Sequence, residues 1–173
     1  MKPIYLIGFM GTGKSTFGKR LAFAMNFKFI DLDEFIESKE NLKIADIFNN
    51  YGESRFRELE SFYLKSINET DIIISCGGGT PCFNNNINFI NSNGLSIYLK
   101  TNRGILISRL IYNKSKRPLL ADKTDTELLK FINELIDIRE PYYSHAKIIF
   151  QMDKSKLDEL IYAIIHAENE CIK

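Results

Sequence analysis

Residues 8 to 16, Gly8-Phe9-Met10-Gly11-Thr12-Gly13-Lys14-Ser15-Thr16, constrain the fold of this chain more than any other stretch. They follow an apolar run, Ile4-Tyr5-Leu6-Ile7, that reads as a buried strand, and they lead into Phe17-Gly18-Lys19-Arg20-Leu21-Ala22, which reads as a helix. Strand, glycine-rich turn and helix, in that order, are the setting a phosphate-binding loop requires. The glycines let the backbone curl so that successive N–H groups point inward as an anion nest, and the positive end of the helix adds to that field. On this reading Gly11, Thr12, Gly13, Lys14, Ser15 and Thr16 bind nucleotide phosphates, with Lys14 bridging the outer ones and the Ser15 hydroxyl ligating Mg²⁺. The plain alternative is a glycine-rich surface loop, and a complete GxxxxGKS with both flanks in place argues against it.

With 173 residues and 45% hydrophobic content, the chain can bury one core and has little left for a second, so one domain over residues 1–173 is expected. Its net charge of +1, without a long run of one sign, points to neither a nucleic-acid surface nor a polybasic membrane anchor. No apolar stretch approaches the length of a membrane span. Met1-Lys2-Pro3 runs directly into the first strand without a signal-peptide pattern. The three cysteines, Cys76, Cys82 and Cys171, lack CxxC spacing and read as free thiols of a reducing compartment. A cytoplasmic protein is expected, and a monomer.

After a helix ending near Met25 and Asn26, Phe27-Lys28-Phe29-Ile30-Asp31 reads as a second strand that closes on Asp31-Leu32-Asp33-Glu34. Alternating strand and helix indicate a parallel, doubly wound sheet, whose ligands bind at the carboxyl ends of the strands. Asp31 and Asp33 would sit there, one holding the waters of a metal ion and the other a substrate hydroxyl. The alternative is a helix cap with acidic first-turn residues ahead of Phe35-Ile36. Residues 41–64 look helical with a break at Tyr51-Gly52, and Ile44, Ile47 and Phe48 recur at core spacing. Within this helix Arg57 and Glu60 share a face, so Glu60 could aim the guanidinium for bidentate recognition of a carboxylate. Most such charge runs are only solvated helix faces. Asp71-Ile72-Ile73-Ile74-Ser75-Cys76 is a central strand ending in Gly77-Gly78-Gly79-Thr80-Pro81. Three glycines together mark a turn or the close approach of a ligand, and here a backbone surface for substrate and γ-phosphate is the preferred reading.

The asparagines of residues 84–88 look like compositional bias at the start of a helix or long loop. Residues 95–99 give a fourth strand and residues 103–112 a helix carrying Arg109. The following basic segment, Asn113-Lys114-Ser115-Lys116-Arg117-Pro118-Leu119-Leu120, is either a solvated loop or a lid over residues 113–125 that brings Arg117 to the phosphates. Residues 126–146 form a long helical pattern in which Pro141, lacking an N–H, should bend or end the helix and so fix the direction of Arg139. Residues 147–150 make a fifth strand. A last helix over residues 156–167 is apolar at Leu157, Leu160, Ile161 and Ile164. His145 and His166 have no partners at metal-ligand spacing.

Taken together, the phosphate loop, Asp31-Leu32-Asp33, Phe56-Arg57, Gly77-Gly78-Gly79, Arg117-Pro118-Leu119-Leu120 and Arg139-Glu140-Pro141-Tyr142-Tyr143 resemble the shikimate kinase family over nearly the whole chain. The resemblance implies an α/β P-loop kinase fold with a five-stranded parallel sheet flanked by helices, similar to nucleoside monophosphate kinases. It implies transfer of the γ-phosphate of ATP to the 3-hydroxyl of shikimate, with Mg²⁺ as cofactor and ATP/ADP and shikimate as partners, on the route to chorismate. Carried over by position, Lys14, Asp33 and Arg117 are catalytic, and Ser15 and Asp31 serve the metal. Asp33, Arg57, Gly78, Gly79 and Arg139 bind shikimate, while Arg109 and Arg117 join the phosphate loop on the nucleotide. Where many members have Leu-Tyr after the proline, this chain has Tyr142-Tyr143, and Lys156 is a weak candidate on the adenine side. A gluconate kinase has no use for two carboxylate-clamping arginines beside a triple glycine. A guanine reader needs Asn-Lys-x-Asp, where this chain has Lys116 in place of the aspartate.

Overall fold

Ile4-Tyr5-Leu6-Ile7 and Ile72-Ile73-Ile74-Ser75 have no face to offer to water, and both strands are buried at every position. Such strands are stable only with helices on both sides of the sheet. The computed structural model describes residues 1–112, 124–152 and 156–170, and its sheet has that form. Strands β1 (Ile4–Ile7), β2 (Lys28–Asp31), β3 (Ile72–Ser75), β4 (Leu95–Lys100) and β5 (Ile148–Gln151) lie in the order β2-β3-β1-β4-β5. Every neighbouring pair is parallel. Side chains alternate across the sheet, so Tyr5, Ile7, Ile72 and Ile74 enter one core cluster and Ile4, Leu6 and Ile73 the other.

The helices are α1 (Lys14–Met25), α2 (Leu32–Glu40), α3 (Ile44–Ser66), α4 (Asn86–Asn93), α5 (Arg103–Tyr112), α6 (Asp125–Tyr143) and α7 (Leu157–Glu170), with a 3₁₀ turn at Thr80–Cys82. Asn26 ends α1 in the left-handed conformation, as its position suggested. The expected single helix from residue 41 is corrected. Asn41 terminates α2 with φ 54°, and α3 starts three residues later, at Ile44. The break at Gly52 is present, with φ 79° and ψ 171° inside α3, a region that essentially only glycine occupies.

Two further expectations change. Asn84 and Asn85 both have positive φ, 50° and 57°, which asparagine tolerates better than most residues; the asparagine run therefore has a conformational role at the start of α4. Nor does Pro141 end its helix: α6 continues to Tyr143. Proline removes one hydrogen bond there, but the last turn is held from outside. Glu140 accepts from Tyr98 and Lys100, and the Tyr143 hydroxyl donates to the Gly78 carbonyl. The N-terminus of α6 is a capping box between Thr124 and Glu127. The expected lid with Arg117 lies outside the described residues, apart from its last two positions, which are the cap and first residue of α6. Among the described residues no helix is long and apolar enough to cross a membrane.

At the joint between α4 and β4, Gly94 is extended, and a methyl group there would meet the Pro3 carbonyl oxygen at 2.2 Å and Tyr5 Cε2 at 2.7 Å. That same carbonyl accepts from the Leu95 N–H, so it cannot retreat without loosening the β1–β4 ladder. Gly94→Ala is expected to lower unfolding stability by about 1–3 kcal/mol in a denaturant titration. An unchanged midpoint would contradict this register.

Candidate active site

The phosphate loop bends through Gly11 and Gly13 at φ 83° and 88°, values that carry a steric cost for any residue with a Cβ. The Thr12 hydroxyl donates to the Phe9 carbonyl at 3.0 Å. Lys14, only 8% exposed, folds back over the loop and donates to the Gly8 and Phe9 carbonyls at 2.8 and 3.0 Å. Its ammonium is therefore fixed above the nest. Thr16 lies at the mouth of a cavity of about 260 Å³ lined by this loop, Asp31, Asp33 and the start of the glycine run. Arg109 reaches the same loop from α5, its Nη1 donating to the Gly11 carbonyl at 3.3 Å.

The helix-cap reading of the acidic pair holds, with Asp31 and not Asp33 as the cap of α2: its Oδ1 accepts from the Asp33 N–H at 3.1 Å, while its Oδ2 accepts from the Ser15 hydroxyl. Parallel pairing sets Asp31 level with Ser75, whose hydroxyl is 3.5 Å from that of Ser15. These hydroxyl and carboxylate groups are the hard oxygen donors that Mg²⁺ prefers. Among the described residues no group of three or more His, Cys, Asp or Glu side chains forms a metal cage.

Asp33, in the first turn of α2, faces inward. Burial first, then the Asp31 and Glu60 carboxylates, push its pKa up to about 6, against the pull of Lys14 and Arg57. The triple glycine is what lets these groups converge, and none of the three has a positive φ. A methyl group at Gly77 would sit 2.9 Å from both Asp33 Oδ1 and Glu60 Oε1, and one at Gly79 would sit 2.6 Å from Arg57 Nη2. At Gly78 it would meet the Met10 N–H nitrogen at 3.1 Å and Arg139 Nη1 at 3.6 Å. The glycines supply space for close approach, not unusual dihedrals.

Glu60 is fully buried and accepts from Arg57 Nη1 at 2.8 Å and from the Thr80 hydroxyl at 2.6 Å. The expected Arg57–Glu60 alignment is therefore present. Sequence reasoning missed Glu53, four residues before Arg57, which accepts from Arg57 Nε and Nη2 at 3.1 and 2.9 Å. It also missed Phe83, whose ring centroid lies 4.4 Å from the guanidinium carbon, as well as Ser75 and Tyr143. Arg139, 9% exposed, comes in from α6 over Phe9. Arg117 and most of the adenine-side segment at residues 153–156 lie outside the described residues, and Lys156 itself is exposed. Cys76 and Cys82 are free thiols, and His145 and His166 are exposed.

A nest at the end of β1, an acidic pair at the end of β2 and a glycine run at the end of β3 define a P-loop phosphotransferase. Relatives and solved structures carry this further. The family model for shikimate kinase matches residues 10–168. The chain is 44% identical to shikimate kinase of Phocaeicola vulgatus over 89% of each chain. The crystal structure of shikimate kinase from Bacteroides thetaiotaomicron superposes with a TM-score of 0.83 at 37% identity, covering 99% of this chain and 98% of that one. Shikimate kinase from Acinetobacter baumannii in complex with shikimate gives 0.82 at 29% identity, over 98% and 94%. The chain belongs to the shikimate kinase family, and it is an ATP-dependent phosphotransferase with an alcohol acceptor.

The raised pKa of Asp33 has a consequence for stability. Between about pH 4 and 6 the folded protein keeps a proton on Asp33 that the unfolded chain releases, so this group makes stability fall as pH rises through that window. Asp33→Asn is expected to stabilise the fold by about 2–3 kcal/mol at pH 7, with the gain vanishing near pH 4. Denaturant unfolding at the two pH values checks this, and an equal gain at both would rule out the burial of charge as its cause.

Proposed function

We propose that a single domain moves the γ-phosphate of ATP to the 3-hydroxyl of shikimate while Arg57 and Arg139 hold the acceptor's carboxylate. The observation that carries this reading is the placement of one glycine of the run against each group: Gly77 against Asp33, Gly78 near Arg139 and Gly79 against Arg57. Arg57 has five N–H donors, of which Glu53 takes two and Glu60 one. The two that remain, one on each terminal nitrogen, make a fork of the kind that binds a carboxylate with two hydrogen bonds. Gly78 and Gly79 then offer backbone to the acceptor without a side chain in the way.

On the donor side, Lys14, Arg109 and the amides of Gly11 to Thr16 bind the phosphates of ATP, the Lys14 ammonium trading loop carbonyls for phosphate oxygens. Ser15 and Asp31 would hold Mg²⁺, which when bound neutralises phosphate charge and helps to orient the donor. Asp33 accepts a hydrogen bond from the 3-hydroxyl and takes its proton as that oxygen bonds to the γ-phosphorus. The bridging oxygen leaves with ADP. A carboxylate with a pKa of about 6 is mostly ionised at neutral pH and basic enough to assist. Most of the acceleration comes from positioning and from charge already in place.

A coupled ADP-release assay with ATP, Mg²⁺ and either shikimate or gluconate tests the reading. ADP release is expected with shikimate only, and release with gluconate only, or without an acceptor, would overturn it. Arg57→Ala should weaken acceptor binding by about 2–5 kcal/mol, seen as a raised shikimate KM, and Lys14→Ala should nearly abolish turnover. In the unmodified enzyme kcat/KM for shikimate should fall about tenfold per pH unit below about pH 6 as Asp33 takes up a proton. A flat profile down to pH 5 would remove Asp33 from the role of base.

A further inference from the structure

Tyr143 lies at the end of α6, fully buried, its ring 5.2 Å from that of Tyr98. Its hydroxyl donates to the Gly78 carbonyl, a contact spanning 65 residues of sequence. Arg139 stands one helical turn earlier, and its Nη1 comes within 3.6 Å of the place a methyl group on Gly78 would take. A phenol has one proton to give, and here it goes to Gly78.

This contact links two elements that have no covalent reason to move together. Arg139 belongs to α6, whereas Gly78 belongs to the loop after β3. A glycine run has little stiffness of its own. Holding the Gly78 carbonyl fixes the plane of the next peptide, and in a planar trans peptide the Gly79 N–H then points to the opposite side. We propose that Tyr143 is a positioning residue for the acceptor, its hydroxyl holding the Gly78–Gly79 peptide beside the Arg139 guanidinium before shikimate binds. The proposal rests on the assignment of Arg139 to the acceptor's carboxylate. The effect of Tyr143 falls on the acceptor side, since the phosphate loop is built by β1 and α1.

Tyr143→Phe keeps the ring and removes only the hydroxyl, and the turn remains anchored through Glu140 to Tyr98 and Lys100. The shikimate KM is expected to rise about three- to tenfold, the worth of one hydrogen bond, with the ATP KM within about twofold of the parent. Tyr98→Phe is the control, because it removes a buried phenol's bond to Glu140 without touching Arg139 or Gly78. It should leave both KM values unchanged. The positioning role is overturned if Tyr143→Phe leaves the shikimate KM unchanged, if it shifts both KM values equally, or if Tyr98→Phe matches its effect. Arg139→Ala, measured alongside, separates the two levels. A shikimate KM unmoved by Arg139→Ala sinks the carboxylate assignment and the role of Tyr143 with it. A KM raised by Arg139→Ala but not by Tyr143→Phe sinks the role of Tyr143 alone.

Discussion

The backbone ladders that join β3 to β1 on one side and to β2 on the other are the constraint on which the rest of the site depends. They set Leu6, Ser75 and Asp31 level at the carboxyl ends of three adjacent strands. The phosphate loop, the glycine run and the acidic pair leave the sheet at one edge for that reason alone. Slipping any of these strands by one residue would exchange its two faces, and both faces are committed. Alternate side chains of β1 and β3 belong to different buried clusters. The register is therefore held by apolar packing on both sides, and the polar site depends on it.

Within that frame the difficulty is electrostatic. Asp31, Asp33 and Glu60 are brought close to Lys14 and Arg57, and Glu60 and Lys14 are buried. Removing one partner of such a group leaves a buried charge uncompensated, which is costlier than any surface pair is stabilising. Glu60 is fully compensated by Arg57 and Thr80. Asp33 is not, and its raised pKa records that imbalance. Under the proposed function an acceptor hydroxyl would supply the missing partner, so part of the fold's stability would be given up to keep the carboxylate reactive, a common trade at active sites.

Much of this was legible in the sequence where the determinants are local. The phosphate loop with its flanks, all five strands, the stop at Asn26, the break at Gly52 and the Arg57–Glu60 alignment each depend on residues a few positions apart. What escaped depends on contacts between distant elements. No local pattern pairs Tyr143 with Gly78, Ser15 with Ser75, or Arg57 with Phe83. Nor does the sequence show that α6 runs on past Pro141 to Tyr143, where Glu140 and Tyr143 tie the turn to β4 and to the glycine run. Two misses were within reach. Glu53 stands four residues before Arg57, at ion-pair spacing, and the Asn84-Asn85 pair is a common signature of left-handed turns.

The central claim is that two guanidiniums, Arg57 aimed by the buried Glu60 and Arg139 set beside Gly78, recognise the carboxylate of the acceptor across a glycine run. Calorimetric titration of the protein with shikimate and with its methyl ester tests this most directly, since the ester keeps the ring and hydroxyls and loses only the charge. The account predicts that the ester binds weaker by about 2–5 kcal/mol, thirtyfold or more. Equal affinity for acid and ester would contradict it.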